Sequence, residues 1–118
     1  MTTEVRLVLY RRELLKGSTE TLLLSLLLDE AMYGYQFVKE MDRHSSGYFR
    51  FKEGTLYPAL HRLQRDGLVR GIWESSPNGQ NRRYYHMTVK GRETLDSMLE
   101  EWQHFTAAVN LVAQPNGS

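Results

Sequence analysis

The stretch EGTLYPALHRLQRDGLVRGIW, residues 53–73, joins a short basic helix to a segment that alternates like a β-strand. Thr55 can cap a helix start, and Pro58 is tolerated in the first turn, where its missing N–H removes no intrahelical bond. Gly67 is typical of a helix end. The stretch therefore predicts a helix and a strand with a single glycine between them.

The predicted helix has two different faces. One face is apolar at helical spacing, which predicts core packing, and consists of Leu56, Ala59, Leu60 and Leu63. The opposite face is polar and basic, and consists of Thr55, Pro58, His61, Arg62 and Arg65. Such a face fits either a solvated surface or a binding surface, and the helix alone does not distinguish the two.

The whole chain has 118 residues, of which 41% are apolar, so it is long enough for one domain with a modest core. It contains no cysteine, which excludes disulfides, thiolate metal sites and cysteine nucleophiles. The apolar run at residues 22–28 is far shorter than the ~20 residues that span a bilayer. The N-terminus does not resemble a signal peptide. We expect a cytoplasmic protein without a membrane segment.

The net charge of +1 does not indicate a binding partner, but the distribution of charged residues along the chain does. Residues 50–86 contain seven Lys or Arg and three Asp or Glu, whereas residues 89–118 contain two bases and four acids. The two parts of the chain are therefore expected to contact different partners.

The order of predicted elements is helix, helix, helix, hairpin, helix. A first helix is predicted from Leu14 to Asp29, and residues 1–13 either extend it or form an arm. A second helix follows Tyr33-Gly34-Tyr35 and ends near His44, before the basic helix. Strands at 68–74 and 82–87 flank a polar loop. Thr88 then caps a last helix, and residues 114–118 are expected to be disordered.

This order predicts a mainly α fold with a small β-hairpin, namely a winged helix-turn-helix over residues 1–88 followed by a dimerisation helix over residues 89–113. In such a fold the third helix enters the DNA major groove and the hairpin wing follows the backbone. Arg82 and Arg83 lie where the second strand leaves the wing tip, so they are candidate phosphate or minor-groove contacts. Alternatively, they form a solvated strand edge that discourages aggregation.

Three segments resemble the PadR-like transcriptional regulators: LLLSLLLDEAMYGYQFVKEM at 22–41, EGTLYPALHRLQRDGLV at 53–69 and RRYYHMTVKGRETL at 82–95. The likeness extends over about residues 14–110 and fits the short subfamily, which has a single C-terminal helix. It implies a dimeric winged-helix repressor that binds double-stranded DNA at a two-fold symmetric operator. It also implies that Tyr35 and the start of the third helix, including Tyr57, lie near the DNA.

The last predicted helix has an apolar stripe at alternating spacings of three and four residues, which is typical of a helix that packs lengthwise on another helix. The stripe consists of Leu95, Met98, Trp102, Phe105, Val109 and Val112. On a monomer this stripe would be exposed, and exposed apolar stripes mark interfaces. The sequence therefore predicts a homodimer held by this helix.

Trp102 has two interpretations. It is either a packing residue of the dimer helix or part of a ligand site, because the resemblance implies a pore at the dimer centre where paired tryptophans hold flat aromatic compounds. The residues of that implied site are Leu14, Leu99, Trp102 and Thr106. Thr106 is not acidic, so a preference for cationic compounds is not supported.

No enzyme motif is present, and the four histidines show no metal-ligand spacing, so we predict neither catalysis nor a metal or cofactor. The expected function is a sequence-specific transcriptional repressor that a small aromatic ligand releases from DNA. The alternative is a dimeric winged-helix interaction or ligand-binding module that does not recognise an operator.

Overall fold

The computed structural model describes residues 2–114, which form five helices and one two-stranded antiparallel sheet. The elements are α1 Thr3–Lys16, α2 Thr19–Leu26, α3 Gly34–His44, α4 Glu53–Arg65, β1 Val69–Ser75, β2 Asn81–Met87 and α5 Val89–Ala113. This order confirms the predicted fold class, a mainly helical chain with a β-hairpin before a long last helix. The predicted tail at 114–118 lies, apart from Gln114, outside the described residues.

The prediction of one helix from Leu14 to Asp29 is wrong, because the chain breaks between α1 and α2. Ser18 donates its backbone N–H to the Leu15 carbonyl at 2.8 Å, which closes a turn at the end of α1. Gly17 would cost about 0.5–1 kcal/mol relative to alanine inside a helix, so a break at this position is cheap. Residues 3–13 therefore belong to a separate helix, and none of the residues of α1 is buried.

The N-cap of α4 lies three residues earlier than predicted. Lys52 is the N-cap, and Thr55 lies in the first turn, where its N–H donates to the Lys52 carbonyl at 3.0 Å. Thr55 is therefore not the cap, and Pro58 is the sixth residue of the helix and lies beyond the first turn. Its missing N–H leaves the Gly54 carbonyl without a helical partner, and water can satisfy that group because Gly54 is exposed.

Gly67 ends α4 as predicted. Its φ of +76° is in the left-handed region that favours glycine, and its N–H donates to the Gln64 carbonyl at 3.0 Å. The Leu68 N–H donates to the Leu63 carbonyl at 2.9 Å, which completes a Schellman motif. Leu68 is buried, so the chain turns directly from α4 into the core and then into β1.

The strands match the predicted ones to within one residue, but the sheet has an additional partner. Tyr85 in the middle of β2 exchanges two backbone hydrogen bonds with Met32, at 3.2 and 2.8 Å, on the edge opposite β1. Met32, which directly precedes Tyr33, is thereby attached to the hairpin. This bridge connects the start of α3 to the wing, and the sequence pattern did not predict it.

The core lies between α2, α3, α4 and the base of the hairpin. The predicted inner face of α4 is confirmed, since each of its four apolar residues is fully buried. The largest side chains that share this environment are Phe37, Leu23, Leu24, Leu56, Leu60, Leu63, Leu95 and Val69. Burial of these side chains fixes α4 with its basic face outward.

Helix α5 starts at a close contact with the end of α4. Thr88 caps α5 as predicted, accepting from the Gly91 N–H at 2.9 Å, and its hydroxyl donates to the Gly67 carbonyl at 2.7 Å. A Cβ at Gly91 would overlap the Leu68 carbonyl oxygen, so the backbones approach there as only glycine permits. The direction of α5 is therefore set by contacts with the α4–β1 junction.

Candidate nucleic-acid interface

The outer face of α4 is exposed along its whole length, and the opposite face of the helix is buried. All five predicted residues of this face are exposed, namely Thr55, Pro58, His61, Arg62 and Arg65. The structure thus brings the predicted helix residues together on one surface. A basic helix presented in this way has the geometry with which winged-helix proteins enter a major groove.

Both arginines of this face have an acidic neighbour. Arg62 Nε lies 3.2 Å from a Glu20 carboxylate oxygen on α2, and Arg65 Nε lies 3.1 Å from an Asp66 carboxylate oxygen. The hydrogen bond to Asp66 raises the pKa of Arg65. Such exposed ion pairs are weak in water, so a phosphate can replace either acidic partner. The pairs hold the guanidinium groups along the helix surface.

Tyr57 and Tyr35 meet where α3 and α4 begin. Tyr35 is 62% exposed and Tyr57 is 39% exposed, and Tyr57 packs its hydroxyl against Gly34, at a position that a Cβ on Gly34 would overlap. Burial raises the pKa of Tyr57, and the Glu53 carboxylate raises it further. The two tyrosines line a shallow cavity of about 230 Å³ at the base of the basic face.

Two lysines that the sequence analysis did not single out lie in the same region. Lys52 lines the cavity between the tyrosines, and the Lys39 Nζ lies 5.7 Å from the centre of the Tyr35 ring. Lys39 follows Tyr35 by four residues on α3, so helical spacing alone predicts that proximity. The sequence predicts Thr55 as the cap of α4, so it does not place Lys52 at the start of this helix.

The two wing arginines lie on opposite faces of the hairpin, since successive side chains of a strand alternate. The Arg82 guanidinium lies 4.1 Å from the centre of the Tyr33 ring and donates to Gln80 at 2.6 Å. Arg83 instead donates to Gln64 on α4 at 3.0 Å. The structure therefore does not bring Arg82 and Arg83 together on one surface.

The four residues of the implied ligand site are not enclosed within one chain. Leu99, Trp102 and Thr106 lie along α5, and Leu14 lies exposed on α1. Trp102 is 45% exposed and packs on Phe105 with ring centres 6.1 Å apart. None of the four lines the cavity near Tyr57 or the larger cavity of about 380 Å³ between α2 and α3.

No helix within residues 2–114 is long and apolar enough to cross a membrane. The same residues contain no group of three or more His, Asp or Glu side chains placed to hold a metal ion.

Comparisons with known proteins agree with this geometry. The family model described as "Transcriptional regulator PadR-like family" matches residues 23–97. A transcriptional regulator of Mycobacterium tuberculosis is 34% identical over 84 residues, which cover 71% of this chain and 75% of that protein.

Solved structures have the same fold. A PadR-like transcriptional regulator from Bacillus cereus is 33% identical, with a TM-score of 0.78 over 88% of this chain and 99% of that one. A transcriptional regulator from Clostridium thermocellum is 27% identical, with a TM-score of 0.79 over 86% of this chain and 99% of that one. Because the family match spans more than half of the sequence and the fold agrees, this chain belongs to the PadR-like family of DNA-binding transcriptional regulators, which are not enzymes.

Proposed function

We propose that this protein is a homodimeric, cytoplasmic repressor that binds a two-fold symmetric operator. We also propose that binding of a planar aromatic ligand releases the repressor from DNA. The observation that carries the proposal is the exposed basic face of α4, which the buried face of the same helix holds beside the wing. Arg62, Arg65, Thr55 and Pro58 enter the major groove. Tyr35, Tyr57 and His61 lie at the edge of the groove, and Arg82 of the wing contacts the backbone, whereas Arg83 acts from the inner face of the wing.

The dimer is supported by apolar surface that one chain leaves uncovered. The second half of α5 exposes Trp102, Phe105, Val109 and Val112, which follow the buried Leu95 and the half-buried Met98 along one stripe. Helix α1 also exposes large apolar side chains along its length. An apolar surface of this extent is typical of an interface, and a second copy of the chain supplies a complementary stripe.

The ligand proposal is supported by the exposed aromatic pair of Trp102 and Phe105 on α5. In a dimer, two such pairs meet near the symmetry axis, with Leu99 and Thr106 on the same helix and Leu14 from α1. Planar compounds would stack there. Release from DNA requires that the ligand prefer a wing spacing that mismatches the operator, since equal affinity for both states shifts nothing.

DNA recognition is tested by selecting duplexes from a random-sequence pool with the purified protein and measuring affinity against salt. We expect a two-fold symmetric consensus and an affinity that falls steeply with salt through counterion release. Arg65→Ala should weaken binding by about 1–3 kcal/mol if it contacts a base. Arg92→Ala is the matched control, because Arg92 is an exposed, ion-paired arginine on α5. Micromolar binding without sequence preference would favour the module without operator recognition.

The ligand site is tested with a panel of planar aromatic compounds and tryptophan fluorescence in a Trp73→Phe background. We expect quenching that Trp102→Ala abolishes while sedimentation still gives a dimer. Loss of the dimer in Trp102→Ala, together with no quenching by any compound in the parent, would show that Trp102 is a packing residue.

A further inference from the structure

Arg83 lies on the inner face of the wing and makes a polar contact with α4. This contact indicates a role for Arg83 other than DNA binding. The hairpin register pairs Gly71 with Tyr85 and Trp73 with Arg83, so these four residues share one face of the sheet. Tyr85 on this face is buried against the core. The Arg83 side chain therefore extends along the face that is turned toward the helices.

The Arg83 guanidinium lies across Gly71. A Cβ at Gly71 would overlap the Nε and Cζ atoms of Arg83, and Gly71 does not have the positive φ of the turn glycines. The backbone conformation at this position is therefore open to any residue. A Cβ at Gly71 would instead require the Arg83 guanidinium to move from its present position.

The far end of Arg83 contacts α4. Its Nη2 donates to Gln64 Oε1 at 3.0 Å, and its guanidinium lies 5.9 Å from the centre of the Tyr85 ring. Gln64 lies in the last turn of α4, next to the buried Leu63. Gly71, Arg83 and Gln64 thus form a contact between the wing and α4, which we call the latch.

We propose that Arg83 is a positioning residue that sets the angle between α4 and the wing, and that it does not bind phosphate. This inference rests on the DNA binding proposed above. Only Asp66, Gly67 and Leu68 separate the end of α4 from β1, so a small rotation there displaces the wing tip relative to the basic face. Because the groove and backbone of a duplex have a fixed spacing, a fixed wing angle favours specific complexes over non-specific ones.

The latch is first tested without DNA. The chain has no cysteine, so spin labels at His61→Cys on α4 and Ser76→Cys in the wing loop report one intramolecular distance when labelled chains are diluted with unlabelled protein. We expect Gln64→Ala and Gly71→Ala each to broaden or shift the distance distribution. Gln80→Ala is the matched control, because it removes the partner of Arg82 on the opposite face. Unchanged distributions in both latch variants would overturn the proposal.

The second test uses a duplex selected by the parent protein and a scrambled duplex of equal length. Gln64→Ala and Arg83→Ala should each weaken binding to the selected duplex by about three- to tenfold, as the loss of one exposed hydrogen bond predicts. The double variant should be no weaker than Arg83→Ala, because the two residues act through one contact. Affinity for the scrambled duplex and the salt dependence should stay as in the parent.

A phosphate contact has a different signature. If Arg83→Ala weakens both duplexes alike and reduces the slope of log K against log salt by about 0.9, while Gln64→Ala binds like the parent, Arg83 is a DNA ligand and the proposal is wrong. Gly71→Ala in the Arg83→Ala background should have no further effect, since the displaced group is gone. A parent protein that selects no duplex would refute operator binding, and the label distances would still decide the latch.

Discussion

Helices α4 and α5 have the same kind of apolar stripe in sequence, but the chain covers the stripe of α4 completely and that of α5 only at its start. The stripe of α4 is fully buried from Leu56 to Leu63, whereas that of α5 is buried at Leu95 and exposed from Trp102 onward. Periodicity predicts that a helix has an apolar face, and it does not specify what covers that face. For α4 the cover is α2, α3 and the hairpin, and for the end of α5 we propose a second chain.

The largest expected effect comes from placing a charge in the uncovered stripe. Phe105→Asp should destabilise the dimer by about 3–5 kcal/mol per protomer, because an unpaired carboxylate would be buried in the interface. Sedimentation should show a monomer, and binding to a two-fold symmetric duplex should be lost. A variant that still sediments as a dimer would show that α5 is not the interface.

A matched leucine pair compares the two stripes within one chain. Leu60→Ala should lower the free energy of unfolding by about 2–5 kcal/mol, because Leu60 is fully buried and its loss leaves a cavity. Leu111→Ala should change it by less than about 0.5 kcal/mol, because Leu111 is 82% exposed and lies off the apolar stripe. Urea unfolding measures both values, and equal effects would contradict the difference in burial.

The smallest expected effect concerns how the two helices begin. Thr88 caps α5 with its side chain, whereas Lys52 makes no side-chain cap bond at α4. Thr88→Ala should therefore cost about 1 kcal/mol of stability, and Lys52→Ala should cost close to none. Thermal unfolding of both variants tests this, and Thr88→Ser, which retains the hydroxyl, should restore most of the loss. A larger effect at Lys52 would show that its side chain has a structural role.

Much of the candidate nucleic-acid interface follows from local sequence pattern. The two faces of α4 follow from helical spacing, and the end at Gly67 follows from the need for a positive φ. The start of α4 was misplaced because Thr55 and Pro58 resemble a cap and an N-terminal proline, although Lys52 begins the helix through its backbone alone. Lys52 was consequently left out of the candidate site.

By itself, the sequence determined the order of elements from α2 onward, the buried face of α4, the wing and the Thr88 cap, because each depends on spacing or turn chemistry within a few residues. Only the tertiary structure decided the Met32–Tyr85 bridge and the packing of Tyr57 on Gly34. It also decided the contact of Arg83 with Gln64, 19 residues apart in the chain. These contacts join distant segments, and they depend on the angles at which helices and sheet pack, which no local periodicity specifies.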